Sequence, residues 1–203
     1  MILVGRYLSP FVRRVATTLQ WLDIPYEHRS LSPALNTEEV RPFNPMLKVP
    51  VLVLDDGEIL IESSAILDSV LETIPGQSLL PASGPSRRHV LQQCGIMTSA
   101  LDKSVAALYE KTKRPAEKIH EPFLETLVAQ AQAGFDQIDA QVTAGNLAGV
   151  THPTIADITA AVSYTFASQM LPEACDAQRH AALAAFAQTF EQTEAFKACQ
   201  FQV

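Results

Sequence analysis

The sequence predicts an α/β domain followed by an all-helical domain, and three observations point to this fold class. Short apolar runs typical of strands occur only in the first third of the chain, where they alternate with helical patterns. A stretch rich in proline, glycine and serine follows over residues 75–86 and is typical of a linker. Beyond it, long patterns rich in alanine, glutamine and leucine favour helices. We therefore expect one domain over residues 1–78 and a second over residues 87–203.

The first strand and helix are predicted at the start of the chain. Residues 2–4 are an apolar run that suits a buried strand. Ser9 and Pro10 are the residue types preferred at a helix N-cap and at the first helical position. Apolar residues then recur at helical spacing until Ile24-Pro25, where the residue before proline leaves the helical region.

A second strand, a short helix and a hairpin follow in that order. Residues 26–31 alternate weakly and predict a strand, and residues 36–40 resemble a short capped helix. Two apolar runs, residues 49–54 and 58–61, are joined by Asp55-Asp56-Gly57. Asp-Gly between two apolar runs is typical of a β-hairpin.

The remaining elements are predicted to be helices. Ser63 and Ser64 are placed to cap a third helix, with an apolar face formed by Ile66, Leu67, Val70, Leu71 and Ile74. After the linker, four further helices are expected, over residues 87–110, 121–143, 154–170 and 178–198. Breaks between them are indicated by Pro115, Pro122, Gly145–Gly149 and Pro172.

Composition and charge exclude several classes of protein. Hydrophobic residues make up 47% of the 203 residues and charged residues 18%, which is typical of a globular protein rather than a disordered one. The net charge is −7 and neither half is basic, so we expect no nucleic-acid partner. The pairs Arg13–Arg14 and Arg87–Arg88 are too short for a polybasic segment, and we expect them on solvated faces.

Neither a disulfide framework nor a metal site is expected. The three cysteines, Cys94, Cys175 and Cys199, are scattered and form no CxxC pair, and no two histidines are spaced i,i+4. Arg6 interrupts the apolar start too early for a signal peptide, and no apolar run reaches the ~18 residues of a membrane span. We expect a cytoplasmic protein with no membrane partner.

Two local features of the first domain suit a ligand carrying charged groups. Ser9 lies at the start of a helix, where unpaired N–H groups and the helix dipole stabilise an anion, and its hydroxyl could donate to a thiolate. Glu62 and Ser63 combine a carboxylate and a hydroxyl beside another helix start, which suits a ligand with both an ammonium and a carboxylate. Each feature on its own is more often a simple helix cap.

The third local feature is Val49-Pro50 at the start of the hairpin. Proline has no N–H for the sheet ladder. If the Val49–Pro50 bond is cis, the backbone N–H and C=O of Val49 face outward and can pair with a peptide-like ligand as an added strand does. Only about 5–6% of X–Pro bonds in folded proteins are cis, so the sequence position alone leaves the trans form open.

Taken together, these motifs resemble the glutathione transferase family. The matching segments are Ser-Pro-Phe-Val-Arg at residues 9–13, Asn-Pro-x-x-Lys-Val-Pro-Val-Leu at residues 44–52 and Glu-Ser-x-Ala-Ile at residues 62–66. In the helical domain, Thr154-Ile155-Ala156-Asp157 resembles the family's capping box, which stabilises a helix start and touches no substrate. The resemblance covers the whole chain. It implies a thioredoxin-like first domain followed by a C-terminal helical bundle.

The resemblance also implies how glutathione is held. Val49 would bind the cysteinyl part through its backbone, ahead of a cis Pro50. Glu62 and Ser63 would hold the γ-glutamyl end. Lys48 lies where relatives contact glutathione, and its charge could pair with the glycyl carboxylate. No metal is implied.

Ser9 matches the catalytic serine of the theta-like and zeta-like, serine-type bacterial members. Other branches of the family use a tyrosine near the end of the first strand, so Tyr7 stays open as an alternative activator of the thiol. Relatives with cysteine at this position perform disulfide chemistry. The serine here, with no cysteine before Cys94, argues against that activity because serine forms no mixed disulfide.

The function implied is that of a glutathione S-transferase in detoxification, which activates the glutathione thiol for attack on a small hydrophobic electrophile. Two alternatives remain: a glutathione-dependent isomerase or peroxidase, and a weakly catalytic or non-catalytic interaction protein of the same fold, similar to stringent-starvation proteins. The resemblance further implies a homodimer, in which the first domain of one chain pairs with the helical domain of the other.

Overall fold

The computed structural model of the protein describes residues 1–201. The chain forms two compact units. The first contains Met1–Gln77 and the C-terminal segment from Gln192 to Phe201, and the second contains Ser78–Glu191. Strands occur only in the first unit, among the described residues, and the second consists of helices and turns. The predicted fold class, an α/β domain followed by a helical domain, is confirmed.

The first unit has the predicted order of strand, helix, strand, short helix, hairpin and helix. Its elements are β1 (Ile2–Val4), α1 (Pro10–Trp21), β2 (Glu27–Arg29), α2 (Thr37–Val40), β3 (Val51–Val53), β4 (Ile59–Ile61) and α3 (Ser63–Glu72). The sheet order is β2-β1-β3-β4. β1 is parallel to β2 and antiparallel to β3, and β3 pairs antiparallel with β4 as the hairpin predicted.

The core of the first unit lies between this sheet and the helices α1 and α3. Leu3 pairs with His28 on one side and with Leu52 on the other, so β1 is a central strand. The apolar positions at helical spacing in α1 and α3 pack in the same core as the strands. Its buried members include Leu3, Val12, Val15, Leu19, Leu52, Ile66 and Leu67.

The second unit contains four long helices and a single 3₁₀ turn, Ala116–Lys118. The helices are α4 (Gly84–Lys113), α5 (Glu121–Thr143), α6 (Ile155–Met170) and α7 (Ala181–Glu191). α4 and α5 cross closely at Gly134, where an added Cβ would lie 2.7 Å from the Cβ of Ala100. The capping box at the start of α6 is confirmed, because the Asp157 carboxylate accepts from the Thr154 N–H at 2.8 Å and the Thr154 hydroxyl accepts from the Ala156 N–H at 3.2 Å.

The helix predicted over residues 178–198 is two helices. α7 ends at Glu191, and a short α8 (Glu194–Ala198) follows. The break arises at Thr193, because its side chain accepts from the Phe196 N–H and so starts a new helix instead of continuing the old one. α8 packs against α1 in the first unit, whereas the sequence placed this segment in the second domain.

The expectation that Arg13 and Arg14 lie on a solvated face is wrong. Each side chain is 1% exposed. Arg13 Nε donates to the Cys199 carbonyl oxygen at 2.8 Å, and Arg14 Nη1 donates to the Ser63 hydroxyl at 3.0 Å. These partners replace the hydrogen bonds that water would otherwise make, which is what allows two guanidinium groups to be buried.

No helix within residues 1–201 is long and apolar enough to cross a membrane. Within the same residues, no three histidine, cysteine, aspartate or glutamate side chains are grouped so that they could hold a metal ion.

Candidate functional site

Ser9 is the N-cap of α1. Its backbone is extended, with φ −71° and ψ 120°, and its hydroxyl oxygen accepts from the Val12 N–H at 3.4 Å. No residue in the described chain accepts a hydrogen bond from the Ser9 hydroxyl. The hydroxyl proton is therefore available to a ligand at the positive end of the helix dipole.

Gly5 brings the start of α1 beside Val49. Its φ is +130°, a conformation that side chains rarely adopt. A Cβ at this position would lie 2.4 Å from Val12 Cγ2 and 2.9 Å from Val49 Cβ. Only glycine allows this close approach, so the backbone at Gly5 joins the Ser9 helix to the Val49-Pro50 segment.

The Val49–Pro50 peptide bond is cis, as the resemblance implied. Asn44 is buried and forms two hydrogen bonds with the loop before this bond. Its Nδ2 donates to the Lys48 carbonyl at 3.0 Å, and its Oδ1 accepts from the Met46 N–H at 3.0 Å. Neither the N–H nor the C=O of Val49 forms a hydrogen bond with any residue from 1 to 201. Both groups can therefore pair with an extended ligand.

Glu62, rather than Ser63 or Ser64, is the N-cap of α3. Its carboxylate accepts from the Ser64 N–H at 3.0 Å and from the Ser63 hydroxyl at 3.3 Å. Glu62 has φ +70°, which is a strained conformation for a residue other than glycine and is found most often at functional sites. The exposed carboxylate is thus held in one position by two donors of its own chain.

Arg14 is a residue of this site that the sequence reasoning missed. Its guanidinium donates to the hydroxyls of Ser63 and Ser64 at 3.0 and 3.2 Å, so it fixes the start of α3 from α1. The one sequence signal that could have found it is its position beside Val15, next to the apolar stripe of α1. A charged residue at such a position is ordinarily assigned to the solvated side of the helix.

Tyr7, the alternative activator, is already engaged. Its hydroxyl is 2.9 Å from the Tyr26 hydroxyl, and its ring stacks on His28 with ring centroids 4.0 Å apart. Burial, outweighing the hydrogen bond from Tyr26, raises the pKa of Tyr7 to about 12. The Tyr7 hydroxyl thus has a hydrogen-bond partner in its own chain, whereas the proton of the Ser9 hydroxyl has no acceptor within residues 1–201.

Lys48 is exposed to solvent, whereas Cys199 is buried. Lys48 is exposed, and no residue of the described chain forms an ion pair with it. Cys199 is buried with its Sγ 3.5 Å from the Tyr26 hydroxyl, and burial raises the pKa of its thiol. The Cys199 thiol therefore stays protonated near neutral pH and is part of the core rather than a nucleophile.

Comparison with known proteins finds similar sequences. A profile of the glutathione S-transferase N-terminal domain matches residues 3–78. The chain is 29% identical over 182 residues to the GST-like protein YibF of Escherichia coli (strain K12), which covers 89% of each chain.

Solved structures agree along the whole chain. One is a glutathione transferase family member from Pseudomonas fluorescens Pf-5 with bound glutathione, at 26% identity and a TM-score of 0.88 over 100% of this chain and 99% of that one. A glutathione S-transferase from Methylobacterium radiotolerans, in complex with glutathione sulfonate, shares the fold at 24% identity and a TM-score of 0.90, over 98% and 93% of the two chains. Residues 3–78 thus match the N-terminal domain of glutathione S-transferases, and the chain as a whole has the fold of solved glutathione transferases.

Proposed function

We propose that this protein binds glutathione, ionises its thiol and transfers the glutathionyl group to a small electrophilic acceptor. The observation that carries the proposal is the Ser9 hydroxyl, whose proton has no acceptor within residues 1–201 and which stands at the N-terminus of α1. A similar protein, the Pseudomonas fluorescens family member, has been solved with glutathione bound.

The proposed ligand contacts use free groups of Val49 and Lys48, the exposed carboxylate of Glu62, and the Ser63 hydroxyl, which already has partners in its own chain. The Val49 N–H and C=O pair with the cysteinyl residue of glutathione, beside the cis Pro50. The Glu62 carboxylate and the Ser63 hydroxyl hold the charged γ-glutamyl end. Lys48 pairs with the glycyl carboxylate, and because it is exposed this contact contributes least.

The Ser9 hydroxyl is strong enough to ionise the bound thiol. A free thiol has a pKa of about 8.5, so only a few per cent is thiolate at neutral pH. A hydrogen bond to a charged group contributes about 1.5–3 kcal/mol, which lowers the thiol pKa by about one to two pH units. The helix dipole adds about 0.3–1 kcal/mol in the same direction.

The atoms and electrons of the reaction then balance without any further group from the protein. On binding, the thiol proton passes to solvent and the sulfur keeps its electron pair. In a substitution, that pair forms the new carbon–sulfur bond, and the leaving group departs with the electrons of the bond it breaks. Ser9 keeps its own proton throughout and donates a hydrogen bond that weakens as the charge on sulfur is lost.

Calorimetric titration with glutathione at several pH values between 6 and 8 tests the proposal. Binding should release protons, measured as the dependence of the heat on the ionisation enthalpy of the buffer. S-methylglutathione is the control, because it binds through the same groups and has no thiol proton to release. Absence of binding at millimolar glutathione would contradict the enzyme assignment and favour the interaction-protein alternative.

We also propose that the protein is a homodimer. Ile59 and Ile61 are exposed, lie on one face of β4, and β4 is an edge of the sheet. Burial of this face against a second copy would remove exposed apolar surface from water. Sedimentation equilibrium should give a dimer that Ile61→Glu dissociates, whereas Leu35→Glu, at an exposed apolar residue away from β4, leaves it intact. A monomeric wild-type protein would refute the assignment.

A further inference from the structure

The first unit contains a polar cavity beside the segment that leads to Ser9. Its volume is about 400 Å³, which is within the range of small-molecule sites. One wall is formed by Arg6, Tyr7 and Leu8, and the facing walls include His28, Ser30 and Lys197. Leu8 directly precedes Ser9 in the chain, and neighbouring Cα atoms are about 3.8 Å apart, so one lining residue of the cavity adjoins the residue proposed to bind the thiolate.

The side chains that line this cavity favour an anion. Arg6 and Lys197 are cationic, Ser30 supplies a hydroxyl and Gln200 an amide, and no carboxylate is among the described lining residues. His28 Nε2 is 2.8 Å from the Gly5 carbonyl oxygen and donates to it, so this ring also presents no negative group. The cavity therefore has donors and positive charge without an internal counter-ion.

Arg6 is the best placed group to bind that anion. Its side chain has no hydrogen-bond or ion-pair partner within the described part of the chain. Lys197 donates to Glu194 at 2.9 Å, but the Glu194 side chain is 92% exposed, and an ion pair with so exposed a partner is weak. A guanidinium presents a planar fork of donors that matches a carboxylate in two parallel hydrogen bonds.

We propose that this cavity binds a carboxylate of the electrophilic acceptor, so that the second substrate is a small carboxylate-bearing electrophile rather than a purely hydrophobic one. The proposal rests on the proposed function, since it assigns the acceptor of the same reaction. Arg6 holds the carboxylate, Lys197 adds a second positive charge, and the reacting carbon faces the sulfur beside Ser9. The family resemblance implied a small hydrophobic electrophile, and the measurements below decide between that class and the anionic one.

A matched pair of electrophiles tests the proposal. The substrates are 4-chloro-3-nitrobenzoate and 4-chloro-3-nitrobenzamide, which share a ring and a chloride leaving group and differ in one negative charge and in the electron withdrawal of the varied group. The ratio of kcat/KM for benzoate over benzamide, divided by the same ratio for the uncatalysed reaction with glutathione, should exceed one in the wild-type protein. Arg6→Gln should lower this ratio about tenfold, the loss of one hydrogen-bonded charge. Arg88→Gln, which removes an equal charge from an exposed position of the second unit, should leave the ratio unchanged.

A binding measurement separates this inference from the proposed function. 3-Nitrobenzoate has no leaving group, so its affinity can be measured by titration whether or not glutathione is bound. The affinity should fall in both Arg6→Gln and Lys197→Gln. A loss of affinity shared by two variants at separate positions is not explained by a folding defect in one of them. Failure of glutathione to bind would overturn the proposed function, while the 3-nitrobenzoate titration would still report on the cavity.

Three results would overturn the inference itself. The first is a benzoate-to-benzamide ratio of kcat/KM in the wild-type protein that is no larger than the ratio of the uncatalysed rates. The second is an Arg6→Gln variant that loses the same factor with both substrates. The third is an Arg6→Gln variant in which the KM for glutathione rises while the benzoate ratio is kept, because the cavity would then serve the glycyl carboxylate of glutathione.

Discussion

Arg13 Nε donates to the carbonyl oxygen of Cys199 at 2.8 Å, across 186 positions of sequence. The same guanidinium lies 5.2 Å from the centre of the Phe196 ring, and all three residues are buried. The helix that begins at Ser9 is thereby joined to the C-terminal segment of the chain. The hydrogen bond and the cation–π contact together hold α8 against α1.

Arg13→Ala should destabilise the protein by about 2–4 kcal/mol, because it removes a charged hydrogen bond and leaves a buried carbonyl and a void. The free energy of unfolding from urea titration measures this effect. Arg88→Ala is the control, since this arginine is exposed and such changes stay within about 0.5 kcal/mol. Equal stabilities of the two variants would contradict the role given to Arg13.

Gly5→Ala should cost about 2–4 kcal/mol of stability and raise the KM for glutathione. The new Cβ would meet Val12 and Val49 at distances that atoms do not adopt, and φ +130° is strained for alanine. Gly57→Ala separates the two causes, because Gly57 also has a positive φ, +90°, but nothing lies within 4 Å of an added Cβ. A Gly5→Ala loss no larger than that of Gly57→Ala would show that the clash is relieved at little cost.

Glu62→Gln should raise the KM for glutathione about tenfold with little change in kcat, because one charged contact with the γ-glutamyl end is lost in both ground and transition states. The glutamine oxygen can still accept from the Ser64 N–H, so the cap of α3 is kept. Steady-state kinetics with varied glutathione measures the effect, with Glu72→Gln on the same helix as the exposed control. A fall in kcat at unchanged KM would contradict the role of Glu62 in binding glutathione.

The ion pair at Asp136 should make the second unit less stable in acid. Hydrogen bonds from Arg179, followed by those from His180, lower the pKa of the Asp136 carboxyl against the opposing effect of burial. A carboxyl whose pKa is lowered on folding stabilises the protein at pH values above its unfolded-state pKa of about 3.9. This stabilisation is lost as the pH falls through the folded-state pKa.

Urea unfolding of wild type and Asp136→Asn over the range of about pH 7 to pH 3 tests this linkage. The stability difference between them should shrink towards the acid end of the range. In an Arg179→Gln background the same Asp136→Asn change should show a weaker pH dependence, because the principal partner is gone. A stability difference that grows on acidification would contradict the assigned direction of the pKa shift.

Local patterns in the sequence predict most of the fold. Asp55-Asp56-Gly57 between apolar runs identifies the hairpin, and Ser9-Pro10 marks the start of α1, because turns and caps are decided by residues within a few positions of each other. The cis bond at Pro50 was implied by the family resemblance alone. The proposed ligand roles of these residues remain predictions.

What the sequence could not predict depends on distant partners. Arg13 and Arg14 are indistinguishable from a solvated pair until Cys199 and Ser63 are placed beside them. The same holds for Tyr7, whose hydroxyl is hydrogen-bonded to that of Tyr26. The break at Thr193 was missed because threonine occurs both inside helices and at their caps. Here Thr193 is the N-cap of α8, which packs against α1.

The most direct test of the central claim is the thiol pKa of bound glutathione, measured from thiolate absorbance over a pH titration. We predict a value about one to two pH units below that of free glutathione in the wild-type protein and in Tyr7→Phe. Ser9→Ala should raise the pKa by about one to two pH units, leaving only the smaller effect of the helix dipole, and lower kcat/KM about 10- to 150-fold, and Ser9→Thr should restore both. A lowered thiol pKa that survives Ser9→Ala and disappears in Tyr7→Phe would contradict the assignment of Ser9.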